Sequence, residues 1–528
     1  MCAEVQIKSG GNGTEGSGQK EQPWLKIGDE EIYVLNPLYR LRNSSNNCVL
    51  VWGAEGLSQE RVHSAAGVVL ALCNGKRTVA EIGGITRPLV KIADDAKATE
   101  VARARVKSII HTMARTREER IGQQQVPNEY PAAAVLITRA EYDRKFSHTK
   151  FRGVEYHVRD FIPQNAPGTV IKHTPNPREA APMKLIWHFT SACSTDCRYC
   201  YLGRRKVTLL PKERVLALIE EAAAIGVVEI RTLGGDFLLY PYLDEVLPAL
   251  CQHKFLLGPF STKTFLSKEK AAVLAESAAV TNVQFSIDST VEDVADYLVR
   301  AKGFCNRIFE SIANALEAGL CVEAKVVITP YNILTIPKLY RDLKKRGVST
   351  IRLATYFRSG FHHSNDLFNH STSYQWLEEQ VKQLQKEFPD DVIYIQNGPP
   401  RLEPPSLEEK QKDWQIKYMC HAGRSSMMIC ADGKVIPCEQ MPETEEYFCG
   451  DVGNQSIREV WDGARLREMT YDMPREKFKG QACYDCKERV FCTCQIGLCI
   501  RDLAKYYGGI YQPPLYCPKH NRDFVRMT

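Results

Sequence analysis

Residues 193–200 read Cys193-Ser194-Thr195-Asp196-Cys197-Arg198-Tyr199-Cys200. The three cysteines stand at the spacing C-x3-C-x2-C on a short polar stretch. They follow an apolar run, Lys184-Leu-Ile-Trp-His-Phe-Thr190, whose pattern predicts a buried strand leading into a loop. A four-iron cubane normally takes four thiolates, so three on one loop leave an iron open to a small-molecule chelate. A structural zinc site takes four protein ligands and matches its C-x2-C pairs elsewhere. A redox C-x-x-C pair has no use for Cys193. The stretch therefore reads as the cluster loop of an enzyme.

A β/α rhythm begins at Met183, which argues for parallel strands with crossover helices. Strands are expected within residues 184–190, 227–233, 254–262, 281–288, 321–329 and 349–354, and helices within 211–225, 268–275, 304–318 and 336–345. With Tyr199 before the last cysteine, the motif resembles that of the radical SAM superfamily. The resemblance implies an α/β fold, a (β/α)6 partial barrel over residues 183–390, with its chemistry at the carboxyl ends of the strands. It implies a [4Fe-4S] cluster on Cys193, Cys197 and Cys200, whose open iron binds the amino and carboxylate groups of S-adenosylmethionine. One electron then breaks a carbon–sulfur bond and yields a 5′-deoxyadenosyl radical.

The same resemblance assigns cofactor contacts to the strand ends. Gly234-Gly235-Asp236 stands where the family has Gly-Gly-Glu. The glycines let backbone approach a ligand closely, and the acid can hold the ammonium of S-adenosylmethionine by a charge-assisted hydrogen bond. The pattern departs from the family in Asp236 for Glu and Phe237 for Pro. Ser286 and Asp288 resemble the fourth-strand pair near the ribose and methionyl groups, and Lys325 on the fifth strand can meet the carboxylate.

The 528 residues are globular in composition, 44% hydrophobic and 25% charged, and long enough for several domains. A net charge of +6 is mild and does not by itself argue for nucleic acid. No run approaches the ~18 apolar residues of a membrane helix, and residues 1–22 have no apolar signal-peptide core, so a cytoplasmic protein without a membrane partner is expected. With 19 cysteines and a reducing compartment, ligation is favoured over disulfides. Cys2, Cys48, Cys73, Cys251, Cys305 and Cys321 are scattered and read as tail, surface or core thiols.

Residues 1–29 are Gly/Ser-rich and expected to be a disordered tail. Residues 30–122 read as a small domain: β-rich runs at 31–35 and 48–52, an apolar helix at 63–73 ending at Asn74-Gly75, a capping box of Thr78 and Glu81, and a charged helix over about 94–121. Strands followed by three helices resemble the precursor-recognition element of ribosomal-peptide maturation enzymes, which is similar to the carrier protein of pyrroloquinoline quinone synthesis. The resemblance implies a winged helix that takes a leader peptide as an added strand. A winged helix can also bind DNA, and the basic third helix suits that; the fusion to a radical enzyme favours peptide. Residues 123–182 read as a bridging segment with one strand, 133–138.

The last part, residues 391–528, carries Cys420-x12-Gly433-x4-Cys438 and then Cys483-x2-Cys486-x5-Cys492, with Cys494, Cys499 and Cys517 beyond. This resembles the SPASM domain, which implies two auxiliary [4Fe-4S] clusters. The match holds through Cys492, after which the usual x3 step is missing. By carry-over, Cys483, Cys486, Cys492 and Cys517 would hold one cluster. Cys420, Cys438 and Cys499 would hold the other, with Cys494 as competitor and Cys430 or Cys449 as a possible fourth ligand. Two zinc sites are the alternative, since C-x2-C pairs suit zinc. Glu439 sits where some relatives keep a catalytic acid.

Together these imply a radical SAM peptide maturase that cross-links a ribosomally synthesised precursor carrying a leader. A flavodoxin- or ferredoxin-type protein would be the electron donor, and no nucleic acid is expected. The rivals are a maturase of a whole protein (a sulfatase or an amine-dehydrogenase subunit) and an iron–sulfur sensor that binds DNA.

Overall fold

The computed structural model describes residues 23–44, 48–54, 59–115, 134–146, 153–162, 178–202, 208–253, 255–277, 279–280, 282–357, 364–391, 393–396, 406, 408–409, 420–496, 498–514, 517 and 519. The chain divides into two compact units, Met1–His148 with Arg152–Pro175, and Asn176–Thr528 with Thr149–Phe151.

In the first unit, β2 (Tyr39–Ser44), β3 (Cys48–Gly53) and β4 (Gln59–His63) form an antiparallel meander in that order. A second sheet has β1 (Ile32–Leu35) in its middle, between β5 (Asn74–Thr78) and β6 (Leu136–Thr138), both antiparallel to it. The helix α1 (Ser64–Leu72) is apolar on nearly every side, and seven of its nine residues are buried. Its Gly67 lies against β3, where an added Cβ would stand 2.5 Å from Val49 Cγ2. The predicted capping box exists: Thr78 and Glu81 cap α2 (Val79–Thr86) reciprocally. The charged helix is α3 (Asp95–Met113); its expected continuation beyond 115 lies outside the described residues.

Two boundaries differ from expectation. The tail expected to run to residue 29 has a helical turn at Pro23–Lys26, and Ile27 joins the core. Asp29 pairs with Lys107 (2.9 Å) and reaches Arg103 (4.0 Å), so two bases of α3 face an acid of the chain itself. The described residues 134–146 and 153–162 of the expected bridging segment belong to this unit. Its strand is β6, followed by α4 (Arg139–Phe146), and Tyr156 Oη accepts from Leu41 N of β2 at 2.9 Å.

The second unit is built on parallel strands, as expected. β7 (Lys184–Trp187), β8 (Glu229–Thr232) and β9 (Leu256–Leu257) form one run; β10 (Phe260–Thr262), β11 (Val283–Ser286), β12 (Val322–Ile328), β13 (Thr350–Thr355) and β14 (Ile395–Gln396) form another. The third expected strand is thus two pieces, β9 and β10, split at Gly258-Pro259, where proline has no N–H for a ladder. Between the strands lie α5 (Lys212–Ala224), α6 (Leu243–Gln252), α7 (Lys268–Glu276), α8 (Glu292–Val299), α9 (Phe304–Glu317), α10 (Ile336–Lys345) and α11 (Ser371–Glu387). The helix α6 is not among the expected ones; it carries Pro248 and buries Leu243, Val246, Leu247 and Leu250 on one face.

The C-terminal part is continuous with this sheet. β15 (Ser426–Ile429) pairs parallel with β7, and β16 (Lys434–Ile436) and β17 (Gly450–Asp451) add antiparallel beyond it. It ends with α12 (Ile457–Asp462), α13 (Ala464–Thr470) and α14 (Ile500–Tyr507). Among the described residues no helix is long and apolar enough to cross a membrane.

Candidate functional site

The cysteine loop leaves the end of β7 over an aromatic floor. Trp187 stacks on Phe189 (4.5 Å between centroids), and Phe189 packs on Phe237 (4.5 Å). Asp196 N and Arg198 N donate to Val299 O and Leu298 O at 3.0 and 2.9 Å, and Arg198 lies 3.8 Å over the Tyr297 ring. The middle of the loop is therefore held by the end of α8. Thr195 Oγ1 lies 3.5 Å from Cys193 Sγ and 3.3 Å from Cys197 Sγ. Cys193 is exposed, Cys197 buried and Cys200 half-buried.

Gly234-Gly235-Asp236 follows β8 and lies against this loop. Gly234 has φ +102°, and a Cβ there would stand 2.4 Å from His188 Cγ. A Cβ on Gly235 would stand 2.4 Å from Thr190 O and 2.5 Å from Ala192 O. The close backbone approach expected toward a ligand is thus made to the backbone that leads into the cysteine loop. It is sealed by Gly235 N donating to Thr190 O (3.0 Å) and Asp236 N to Ala192 O (2.7 Å).

The Asp236 carboxylate is occupied by protein donors. Oδ1 accepts from Leu238 N (3.2 Å), Oδ2 from Lys263 N (2.8 Å) and Thr264 N (2.9 Å), and the Thr262 hydroxyl bonds it at 2.8–3.0 Å. A carboxylate has about four lone-pair sites, so an ammonium here would have to displace one of these donors. The expected ammonium ligand is, in this geometry, a clamp on the end of the third strand.

The clamp sets Lys263, which sequence reading passed over. Its Nζ donates to Cys197 Sγ (3.0 Å) and Tyr199 Oη (2.7 Å) and lies 4.5 Å over the Tyr199 ring. Tyr199 Oη in turn bonds Asp288, whose other oxygen accepts from Val327 N at 2.8 Å. Burial works against the Lys263 charge, but Cys197 and Asp288 more than offset it, so its pKa is raised. Burial likewise raises the Asp288 carboxyl and the Tyr199 phenol. Ser286 and Lys325 are register partners across β11 and β12.

Two further sulfur groups lie in the C-terminal part. Burial, together with Cys517, Cys486 and Cys492, pushes the Cys483 thiol up to about 12. Thiols that act on one another ionise together more readily when a metal centre compensates their charge. In the other group, burial followed by Glu439 and Cys420 raises the Cys438 thiol. Cys420 and Cys438 thus act on one another, Cys499 shares Arg501 with Cys438, and Cys494 shares Arg424 with Cys420. Cys430 follows β15 fully buried in the core, and Cys449 packs against Met469 Sδ at 3.5 Å. Both have the surroundings of small apolar side chains.

Residues 187–344 match the radical SAM superfamily, and residues 420–487 match the SPASM iron–sulfur cluster-binding domain. The chain carries a radical SAM enzyme domain. A radical SAM domain binds a [4Fe-4S] cluster and S-adenosylmethionine, and the SPASM domain binds further iron–sulfur. Among similar proteins is the PqqA peptide cyclase of Gluconobacter oxydans, 22% identical over 60% of this chain and 86% of its own. Another is the GTP 3′,8-cyclase of Aquifex aeolicus, 26% identical over 56% of this chain and 95% of its own. The fold matches Streptococcus suis SuiB bound to precursor peptide SuiA, with a TM-score of 0.55 and 15% identity, covering 94% of this chain and all of that one.

The donor chemistry suits these cofactors: three thiols on one loop for the radical SAM domain, and a cysteine-rich C-terminal part for the SPASM domain. Among the described residues no three His, Cys, Asp or Glu side chains converge as on a single metal ion. Glu439 Oε2 lies 3.8 Å from Cys438 Sγ, and Glu439 also acts on Tyr201, next to Cys200. It therefore lies between two of the cysteine groups. Sequence reading missed a second acid nearby, Glu443, whose carboxylate is 3.4 Å from Nδ1 of the buried His188. His188 lies in the apolar run before the loop, where it reads as one more strand residue.

Proposed function

We propose that this radical SAM enzyme matures a ribosomally synthesised peptide by forming an intramolecular cross-link, a thioether or a carbon–carbon bond. What supports the reading most is the combination in one chain of a three-cysteine loop, a cysteine-rich C-terminal part and a separate sheet-and-helix unit. Similar proteins include a peptide cyclase and a protein whose solved structure holds a precursor peptide.

In this reading Cys193, Cys197 and Cys200 hold the cofactor cluster. Cys483, Cys486, Cys492 and Cys517 hold one auxiliary cluster, and Cys420, Cys438, Cys494 and Cys499 the other. When bound, the cofactors supply a 5′-deoxyadenosyl radical that takes hydrogen from the peptide. The chain orients and shields. Asp288 and Tyr199, with Ser286 and Lys325, line the cofactor's side of the barrel mouth, and Glu439 accepts the proton released as the new bond closes. An auxiliary cluster held by the C-terminal cysteines would supply the acceptor for the surplus electron, and a flavodoxin- or ferredoxin-type protein would be the donor.

The N-terminal unit takes the leader as an added strand. β4 stands at one end of the meander, whereas β2 at the other end has a donor already engaged by Tyr156. A cavity of about 440 Å³ lined by Leu70, Cys73, Arg139, Tyr142 and Phe146 lies in the same unit, of a size that accepts peptide side chains.

The test incubates reduced, reconstituted enzyme and S-adenosylmethionine with candidate precursors, with and without their leaders. The expected result is 5′-deoxyadenosine in every case and loss of two hydrogens only from the leader-bearing peptide. Equal processing of leaderless peptide would remove the leader role, and absence of 5′-deoxyadenosine would remove the enzyme reading.

A further inference from the structure

We propose that Lys263 is a positioning residue that hydrogen-bonds the Cys197 sulfur and raises the reduction potential of the cluster on the Cys193–Cys200 loop. The inference rests on the assignment of that loop as the cluster site. Lys263 belongs to no cysteine motif and lies just past the end of β10. Its ammonium reaches the buried sulfur at 3.0 Å because both ends of the residue are held. Its backbone N donates to Asp236 at 2.8 Å, and the Thr264 amide beside it does the same at 2.9 Å. Its Nζ is also fixed by Tyr199 Oη at 2.7 Å, and Tyr199 is anchored on Asp288.

The electrostatic consequence has a definite sign. The external donor adds one electron, and the added negative charge spreads over iron and thiolate sulfur. A cation donating to one of those sulfurs stabilises the reduced state more than the oxidised one, since cluster potentials follow charge and hydrogen bonds to sulfur. Lys263 gains and loses no proton in this role. The shortened acid is part of the device. By holding Thr262, Lys263 and Thr264 together, Asp236 turns the end of the third strand toward the loop.

The test uses the full-length, anaerobically reconstituted protein. The triple variant of Cys193, Cys197 and Cys200 to alanine supplies the auxiliary-cluster spectrum. Subtracting it gives the loop cluster's own paramagnetic resonance signal during a redox titration. In Lys263→Met the midpoint is expected to move negative, and the reduced fraction at a fixed potential to fall about tenfold, on the scale of one charge-assisted hydrogen bond. Lys263→Arg should restore most of it, while S-adenosylmethionine affinity stays within about twofold in both. If Lys263→Met loads no iron, Lys263→Gln keeps a neutral donor and should shift the midpoint in the same direction by less.

An unchanged midpoint in the loaded variants overturns the proposal. So does an unchanged midpoint with weaker S-adenosylmethionine binding, which would make Lys263 a ligand of the cofactor carboxylate. If the triple variant keeps the full iron content and spectrum, the loop is not a cluster site, and both the assignment and the Lys263 role fall.

Discussion

Asp236→Asn separates two roles for one carboxylate. An asparagine keeps a single oxygen. Turned toward Lys263 N and Thr264 N, that oxygen still serves the two donors of Oδ2. The amide nitrogen then faces Leu238 N and the Thr262 hydroxyl. The hydroxyl can rotate to accept, but Leu238 N cannot, and Leu238 is buried. One buried backbone donor loses its acceptor, at a cost of about 1–3 kcal/mol. If local opening carries that cost, exchange rises roughly 10- to 100-fold. Hydrogen exchange of the full-length protein, read in peptides covering 236–240 and 260–266, measures it. The expected result is faster exchange in both segments, with secondary effects on the loop at 193–200. If exchange is unchanged and S-adenosylmethionine binding weakens more than tenfold, the carboxylate is a cofactor ligand and the clamp argument is wrong.

Other variants test other parts of the molecule. Glu323→Gln takes away the carboxylate that bonds the largely buried Arg352 at 2.9 Å. The loss should be about 3–5 kcal/mol, seen as a lower denaturation midpoint. Thr78→Ala breaks the capping box of α2 and should cost about 1 kcal/mol, read as faster exchange over α2 with the second unit unaffected. Gly235→Ala drives a Cβ toward two carbonyl oxygens at 2.4–2.5 Å. It should reduce iron loading of the loop while leaving the iron of the Cys483 group in place. Cys483→Ser should remove about four irons per chain; unchanged iron would argue against that group as a ligand set.

What the sequence made legible follows from how local each signal is. The cysteine loop, the parallel strands and the Thr78 capping box depend on residues within a few positions of one another, and all three appear where the pattern put them. The sulfur groups were legible only in part. Spacing paired Cys483, Cys486 and Cys492, whereas Cys517 and Cys499 were assigned only through the SPASM resemblance; in the structure Cys517 acts on Cys483, and Cys499 shares Arg501 with Cys438. Asp236 shows what spacing cannot carry. Its place after two glycines suggested a ligand contact, yet its bonding partners come from Leu238 and from residues 262–264, some 26 positions away on another strand. Lys263 had no local signal for the same reason, because its partners Cys197 and Tyr199 lie more than 60 residues earlier. The side-chain length that makes Asp236 a departure from the Gly-Gly-Glu pattern is the length that lets it close on the neighbouring strand. A glutamate there would extend past those amides toward the barrel mouth. The departure from the pattern and the overlooked lysine are thus two ends of one contact.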